Sequence, residues 1–160
     1  MVNSEMLVRE SHLYRKLEKL ISFKKIAYRL KKLTDEGYGK ERIFKMMLLQ
    51  YMEDLSDREM ERYMQENVAA KYFCGFSLTD KTPDYTSFSK MRARIGASQL
   101  SKIFIIVRKQ LIKQGYIGEV FTFVDASHLI SKANLWKERD KAIEKKYEKL
   151  NNEVLPKVAY

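Results

Sequence analysis

Apolar residues recur at helical spacing through the first 115 positions of this chain, and the pattern then changes. Leu13, Leu17, Leu20 and Ile21 fall at i, i+4, i+7 and i+8. They make one apolar stripe in an opening region, to about Lys32, that reads as mostly helical with a basic surface. TDEGYG, Thr34 to Gly39, gathers two glycines and an aspartate and reads as a turn. KERIFKMMLLQYM, Lys40 to Met52, is apolar on nearly every side from Ile43 onward, which predicts a helix in the middle of a bundle. In LSDREMERYM, Ser56 and Glu59 have the spacing of a capping box, with Met60, Tyr63 and Met64 on the inner face of the helix it starts.

NVAAKYFCGFSLTD holds a shorter apolar helix that ends near Gly75. In KTPDYTSFSKMRARIG, Pro83 and Asp84, or Thr86, open a helix that Gly96 closes. SQLSKIFIIVRKQLIKQG is amphipathic, with Leu100, Ile103, Phe104, Val107 and Leu111 on one face and Gly115 at its end. EVFTFVDA, Glu119 to Ala126, is instead β-branched and aromatic and predicts a buried strand. One strand cannot satisfy its own backbone groups, so it needs partners. The tail that follows, from Lys132, is highly charged and helix-compatible.

Length and composition narrow the classes. The 160 residues suit one domain, or one domain with part of a second, and 45% hydrophobic residues suffice for a core. Apolar runs of a few residues fall far short of the ~20 that cross a bilayer, and the charged start MVNSEMLVRE lacks an export signal. The lone Cys74 excludes an internal disulfide or an all-cysteine metal site. Together these predict a cytoplasmic protein with no membrane partner.

Charge adds a direction. The net charge is +10, which suits a polyanion. Between Lys81 and Gly115, Lys81, Lys90, Arg92, Arg94, Lys102, Arg108, Lys109 and Lys113 stand against Asp84 alone. The stretch Glu53 to Glu66 leans acidic, so a polyanion meets the later segment first.

Two constellations carry candidate chemistry. The helices near Arg58–Asn67 and Tyr85–Ile95 form a helix-turn-helix-like pair, although the segment between them is too long for the tight turn of that motif. The second helix carries Thr86, Ser87, Ser89, Lys90, Arg92 and Arg94, hydroxyl and cationic groups suited to base edges and phosphates. Phe88, Met91 and Ile95 would anchor it. A solvated basic face on an ordinary bundle helix competes with that reading. The other constellation is Asp125, at the end of the predicted strand. It either caps a turn through Ser127 or His128, or it holds Mg²⁺, in which case two or three carboxylates must converge. After it come only Glu138, Asp140, Glu144, Glu148 and Glu153, all in the charged tail. His12 and His128 are too separated for a ligand set, and no phosphate-binding glycine loop is present. Trp136 could stack on a base, though packing is its commoner use.

LLQYMEDLSDREM, PDYTSFSKMRARIG and FTFVDASHLISKANLWKERDKA occur here in the order and spacing of a known family. They resemble the N-terminal part of bacterial insertion-sequence DDE transposases of the insertion-sequence-five group. The resemblance implies a helical DNA-binding region followed by a ribonuclease-H-like catalytic domain, with two aspartates and a glutamate holding two Mg²⁺ ions that cut and join DNA. Asp125 in FVDAS matches the first of those aspartates, a catalytic and metal-binding position. The SDRE and PDYTSFSKMR segments match the DNA-binding module. The second aspartate and the glutamate lie beyond residue 160 in that family.

The expectation is therefore a mainly α protein. Residues 1–115 form a helical bundle with the helix-turn-helix-like module, and 116–160 begin an incomplete ribonuclease-H-like α/β domain. The expected function is recognition of element-end inverted repeats in double-stranded DNA during DNA transposition, in the bacterial cytoplasm at the nucleoid. With one catalytic carboxylate the chain is expected to be inactive alone, and Mg²⁺ is expected of the full-length family only. A homo-oligomer or a mixed oligomer with full-length transposase is the expected protein partner. Two rivals stay open: a regulatory or inhibitory protein without catalysis, and a nuclease in which Asp125 and tail carboxylates share a metal.

Overall fold

In the computed structural model the described residues are 2–31, 37–115, 134–135, 137–146 and 148–149. Up to residue 115 they form α1 (Ser4–Leu7), α2 (Leu13–Leu20), α3 (Phe23–Tyr28), α4 (Lys40–Met52), α5 (Asp57–Glu66), α6 (Val68–Cys74), α7 (Tyr85–Ile95) and α8 (Ala97–Lys113). Residues 137–146 are helical as well. The protein is mainly helical, and no strand occurs among the described residues. The predicted strand 119–126, with Asp125, lies outside them.

Short linkers follow from the caps. Ser56 Oγ accepts from the Glu59 amide at 3.2 Å while Glu59 Oε2 accepts from the Ser56 amide at 2.8 Å, the reciprocal capping box read from the sequence. Asn67 alone joins α5 to α6, its side chain accepting from the Ala70 amide at 2.9 Å. Gly75 then closes α6 at φ 77°, a left-handed conformation that favours glycine. Of the alternatives for the start of α7, Asp84 is the cap.

Packing is organised around α4. Every residue from Ile43 to Gln50 is buried, as a helix apolar on all sides requires. It contacts α3, α6 and α7, while α5 packs on α6 and α7, and α7 on α8. Aromatic rings link these layers. Tyr14 meets Phe73 at a centroid distance of 5.2 Å, Phe73 meets Phe23 at 5.5 Å, Phe23 meets Phe44 at 6.0 Å, and Phe44 meets Phe104 at 6.2 Å. One hydrophobic cluster therefore runs from α2 to Leu111 near the end of α8.

The opening differs from its predicted stripe in one residue. Leu17 and Ile21 are buried and Leu20 is half-buried, but Leu13 is exposed and Tyr14 takes the inner position. Leu13 is the first residue of α2, after the His12 cap, so the helix begins with that side chain turned outward. Tyr14 donates to Glu53 Oε1 at 2.7 Å, and since its one proton goes there, Tyr63 donates to Tyr14. Burial and these two partners raise the Tyr14 pKa far above the ordinary phenol value.

The interior also holds polar groups that hydrophobic patterning does not reveal. Lys45 pairs with Glu18 at 2.9 Å and Glu41 at 3.3 Å, and lies over the rings of Phe23 and Phe73. Arg15 is buried, donating to the carbonyls of Val8 and Glu5. Cys74 is completely buried, and desolvation raises its thiol pKa above the ordinary value. A thiol-specific disulfide reagent should therefore leave the native protein unmodified. It should label Cys74 at the rate of unfolding in denaturant, and rapid labelling without denaturant would contradict the burial.

Candidate nucleic-acid interface

The exposed side of α7 is set by how its inner side is anchored. Phe88 and Ile95 are buried and Met91 is half-buried, as their spacing predicts. Thr86, Lys90 and Arg94, four residues apart, then share the outward face, and all three are exposed. Ser87 and Ser89 are half-buried beside that face.

Hydroxyl protons at the start of α7 are used in local bonds within the helix and its cap. Asp84 Oδ1 accepts from Thr86 Oγ1 at 2.7 Å, from the Ser87 amide at 3.0 Å and from Ser87 Oγ at 3.1 Å. Ser89 Oγ donates to the Thr86 carbonyl at 3.1 Å. All three hydroxyl protons are thus used within the first turns, and outward these groups offer lone pairs as acceptors. The hydroxyl bonds from Thr86 and Ser87 hold the Asp84 carboxyl below its ordinary value of 3.8. A lowered native pKa means the cap contributes above the unfolded-state value and is lost as pH falls through the native one.

Arg92 has a different position from the other candidate residues. Its guanidinium forms two bonds to Asp57 of α5, at 2.7 and 2.8 Å, and a third to Gln50 of α4 at 3.0 Å. Gln50 Nε2 donates to Asp57 Oδ1 at 2.8 Å. The three side chains tie α4, α5 and α7 together, and the paired side chains of Arg92 and Asp57 are only 11% and 13% exposed. The sequence groups Arg92 with the polyanion contacts, whereas its bonds run into the bundle.

Acidic residues beside this face are also engaged within the chain. Asp57 holds Arg92, Glu59 completes the Ser56 cap, Glu53 accepts from Tyr14, and Glu61 accepts from the Tyr85 amide at 3.2 Å. On α8, Lys102, Arg108, Lys109 and Lys113 are exposed. The surface thus keeps its cations outward while many nearby carboxylates serve internal contacts.

The segment 137–146 brings a further set of groups to α5 and α7. Arg139 Nη2 donates to the Asp54 carbonyl at 2.8 Å and Glu59 Oε2 at 2.6 Å. Asp140 accepts from Ser56 Oγ, and Glu144 pairs with Arg58 at 2.6 Å. Arg58 also lies 4.3 Å from the centroid of the Tyr85 ring. Between this segment and the starts of α5 and α7 is a groove of about 310 Å³ that includes Arg58, Tyr85, Thr86, Ser89, Lys137 and Lys141. Arg58, Lys137 and Lys141 carry no sequence signal that separates them from other surface cations.

Asp140 and Glu144 face hydroxyl and guanidinium partners. Among the described residues no group of three histidine, cysteine, aspartate or glutamate side chains could hold an ion. Nor is any helix among them long and apolar enough to cross a membrane.

Residues 2–94 match a protein family described as Transposase domain (DUF772), a stretch that takes in α1 to α6 and all but the last residue of α7. No curated protein and no solved structure matches the chain.

Proposed function

The chain belongs to the transposase-domain family, matching at residues 2–94 a domain of the N-terminal part of insertion-sequence transposases, and on that premise we propose that it binds element ends through α7. Its role is in transposition. In this reading α7 faces double-stranded DNA in a helix-turn-helix-like manner, with element-end inverted repeats as the target. Lys90 and Arg94 neutralise phosphates, and the hydroxyls of Thr86, Ser87 and Ser89 accept from base or sugar groups. The cations of α8 add phosphate contacts. Arg92 positions α7 through Asp57 and Gln50 and is not assigned a DNA contact.

The observation that carries this reading is the exposed Thr86, Lys90 and Arg94 row on a helix whose neighbouring acids are engaged internally. DNA binding of this kind needs no metal, and chelators should leave it unchanged. Asp125 keeps the role that the resemblance implies, the first carboxylate of a catalytic metal site.

Affinity measured on an inverted-repeat duplex and a shuffled duplex over a range of salt concentrations tests the proposal. The repeat should bind more tightly, and affinity should fall steeply with salt as counterions are released. Lys90→Ala and Arg94→Ala should each lower the logarithmic salt slope by about 1. Equal affinity for the two duplexes removes the specific reading, and a flat salt dependence removes DNA binding itself.

A further inference from the structure

We infer that the helical segment 137–146 is an intramolecular cover over the start of α5, beside the start of α7, and that its carboxylates compete with DNA phosphates for Ser56 and Arg58. The inference rests on the reading of α7 as the DNA-facing helix. Three contacts hold the cover, and all three use the start of α5. Arg139 spans the Asp54 carbonyl and Glu59, Asp140 accepts from the Ser56 hydroxyl, and Glu144 takes Arg58. Arg58 in turn lies over Tyr85, the first residue of α7.

The chemistry of the contact is that of a phosphate substitute. A carboxylate oxygen on a guanidinium and another on a hydroxyl are the bonds that backbone phosphates make with the same groups. The groove beside Thr86 and Ser89 holds Arg58, Lys137 and Lys141 against Asp57, Asp140 and Glu144. With the segment docked, Asp140 and Glu144 occupy the Ser56 hydroxyl and the Arg58 guanidinium beside the start of α7.

The contact is also suited to release. Arg58 and Glu144 are nearly half-exposed, so their attraction is screened by solvent and salt. Arg139 Nε is enclosed without a hydrogen-bond partner among the described residues, which offsets part of what its Nη2 bonds contribute. Segment and surface belong to one chain, so re-docking is fast at any protein concentration.

The test compares the full chain with its Arg139→Ala/Glu144→Gln variant in two measurements. Hydrogen exchange of amides 137–146 reports docking, and affinity for a short random-sequence duplex at low salt reports competition. The double variant removes one charge of each sign and keeps the net charge, so the wild-type chain is its charge-matched control. The double variant should exchange faster over 137–146 and bind duplex about two- to fivefold more tightly than the control, as expected for loss of weak ion pairs. Duplex added to the wild type should likewise speed exchange in 137–146. Unchanged exchange in the variant overturns the cover. Faster exchange with duplex affinity equal to the control overturns the competition. Faster exchange with no duplex binding by either protein overturns the DNA reading, and the competition with it.

Discussion

Phe44→Ala should lower the unfolding free energy by about 3–5 kcal/mol, the cost of emptying a large buried aromatic site. Phe44 is fully buried in the middle of α4, with Phe23 of α3 against one side and Phe104 of α8 against another. Neighbouring core residues Met46, Met47, Leu48 and Leu49 are also fully or almost fully buried, so few groups are free to move into the gap. A domain of this size has about 5–15 kcal/mol in total, which makes the loss a large fraction of it. Tyr28→Ala supplies the contrast, since Tyr28 is 83% exposed and should cost no more than about 0.5 kcal/mol. Urea unfolding followed by circular dichroism would show a lower midpoint at unchanged slope for the Phe44 variant. A loss below about 1 kcal/mol would mean that α3 and α8 do not close on this ring.

Much of this arrangement was legible because its signals are local. The Ser56–Glu59 box lies within four residues, and the inner faces of α7 and α8 repeat within a few turns. The all-round apolar character of Lys40 to Met52 announced a central helix. What patterning could not supply was the fate of polar residues inside that helix. Lys45 and Gln50 are buried because partners 27 and 7 residues away in sequence satisfy them. Leu13 was misplaced because a stripe does not show where the helix starts, and the His12 cap sets its first turn.

The candidate interface was legible as a helix and only partly as a set of side chains. Composition counts Lys90, Arg92 and Arg94 alike, yet the partner that turns Arg92 inward lies 35 residues earlier. The covering segment is harder still, since Arg139 finds its carboxylate 80 residues away and no local rule connects them. Asp125 is singled out by its sequence and lies outside the described residues.

Asp57→Ala should cost about 2–4 kcal/mol, because it removes one partner of an almost buried ion pair and leaves the other in place. Arg92 would keep a bond to the Gln50 side chain and lose both to Asp57. The range sits below that for a fully enclosed pair because both side chains retain about a tenth of their exposure. Part of the loss, about 0.3–1 kcal/mol, is the favourable negative charge in the first turn of α5. Asp57→Asn should cost less, since it keeps an acceptor for Arg92. Asp57→Ala/Arg92→Met should recover only part of the loss, because no charge is then left without its partner but the buried Gln50 amide loses its bonds to both side chains. A double-mutant cycle by urea unfolding measures the coupling, and additive losses would show that the pair is not a unit. Duplex binding then separates the two roles assigned on α7. With the fold intact at low temperature, the double variant should keep the wild-type salt slope, whereas Lys90→Ala and Arg94→Ala lower it. A slope reduced by about 1 in the double variant would return Arg92 to the DNA-contacting face.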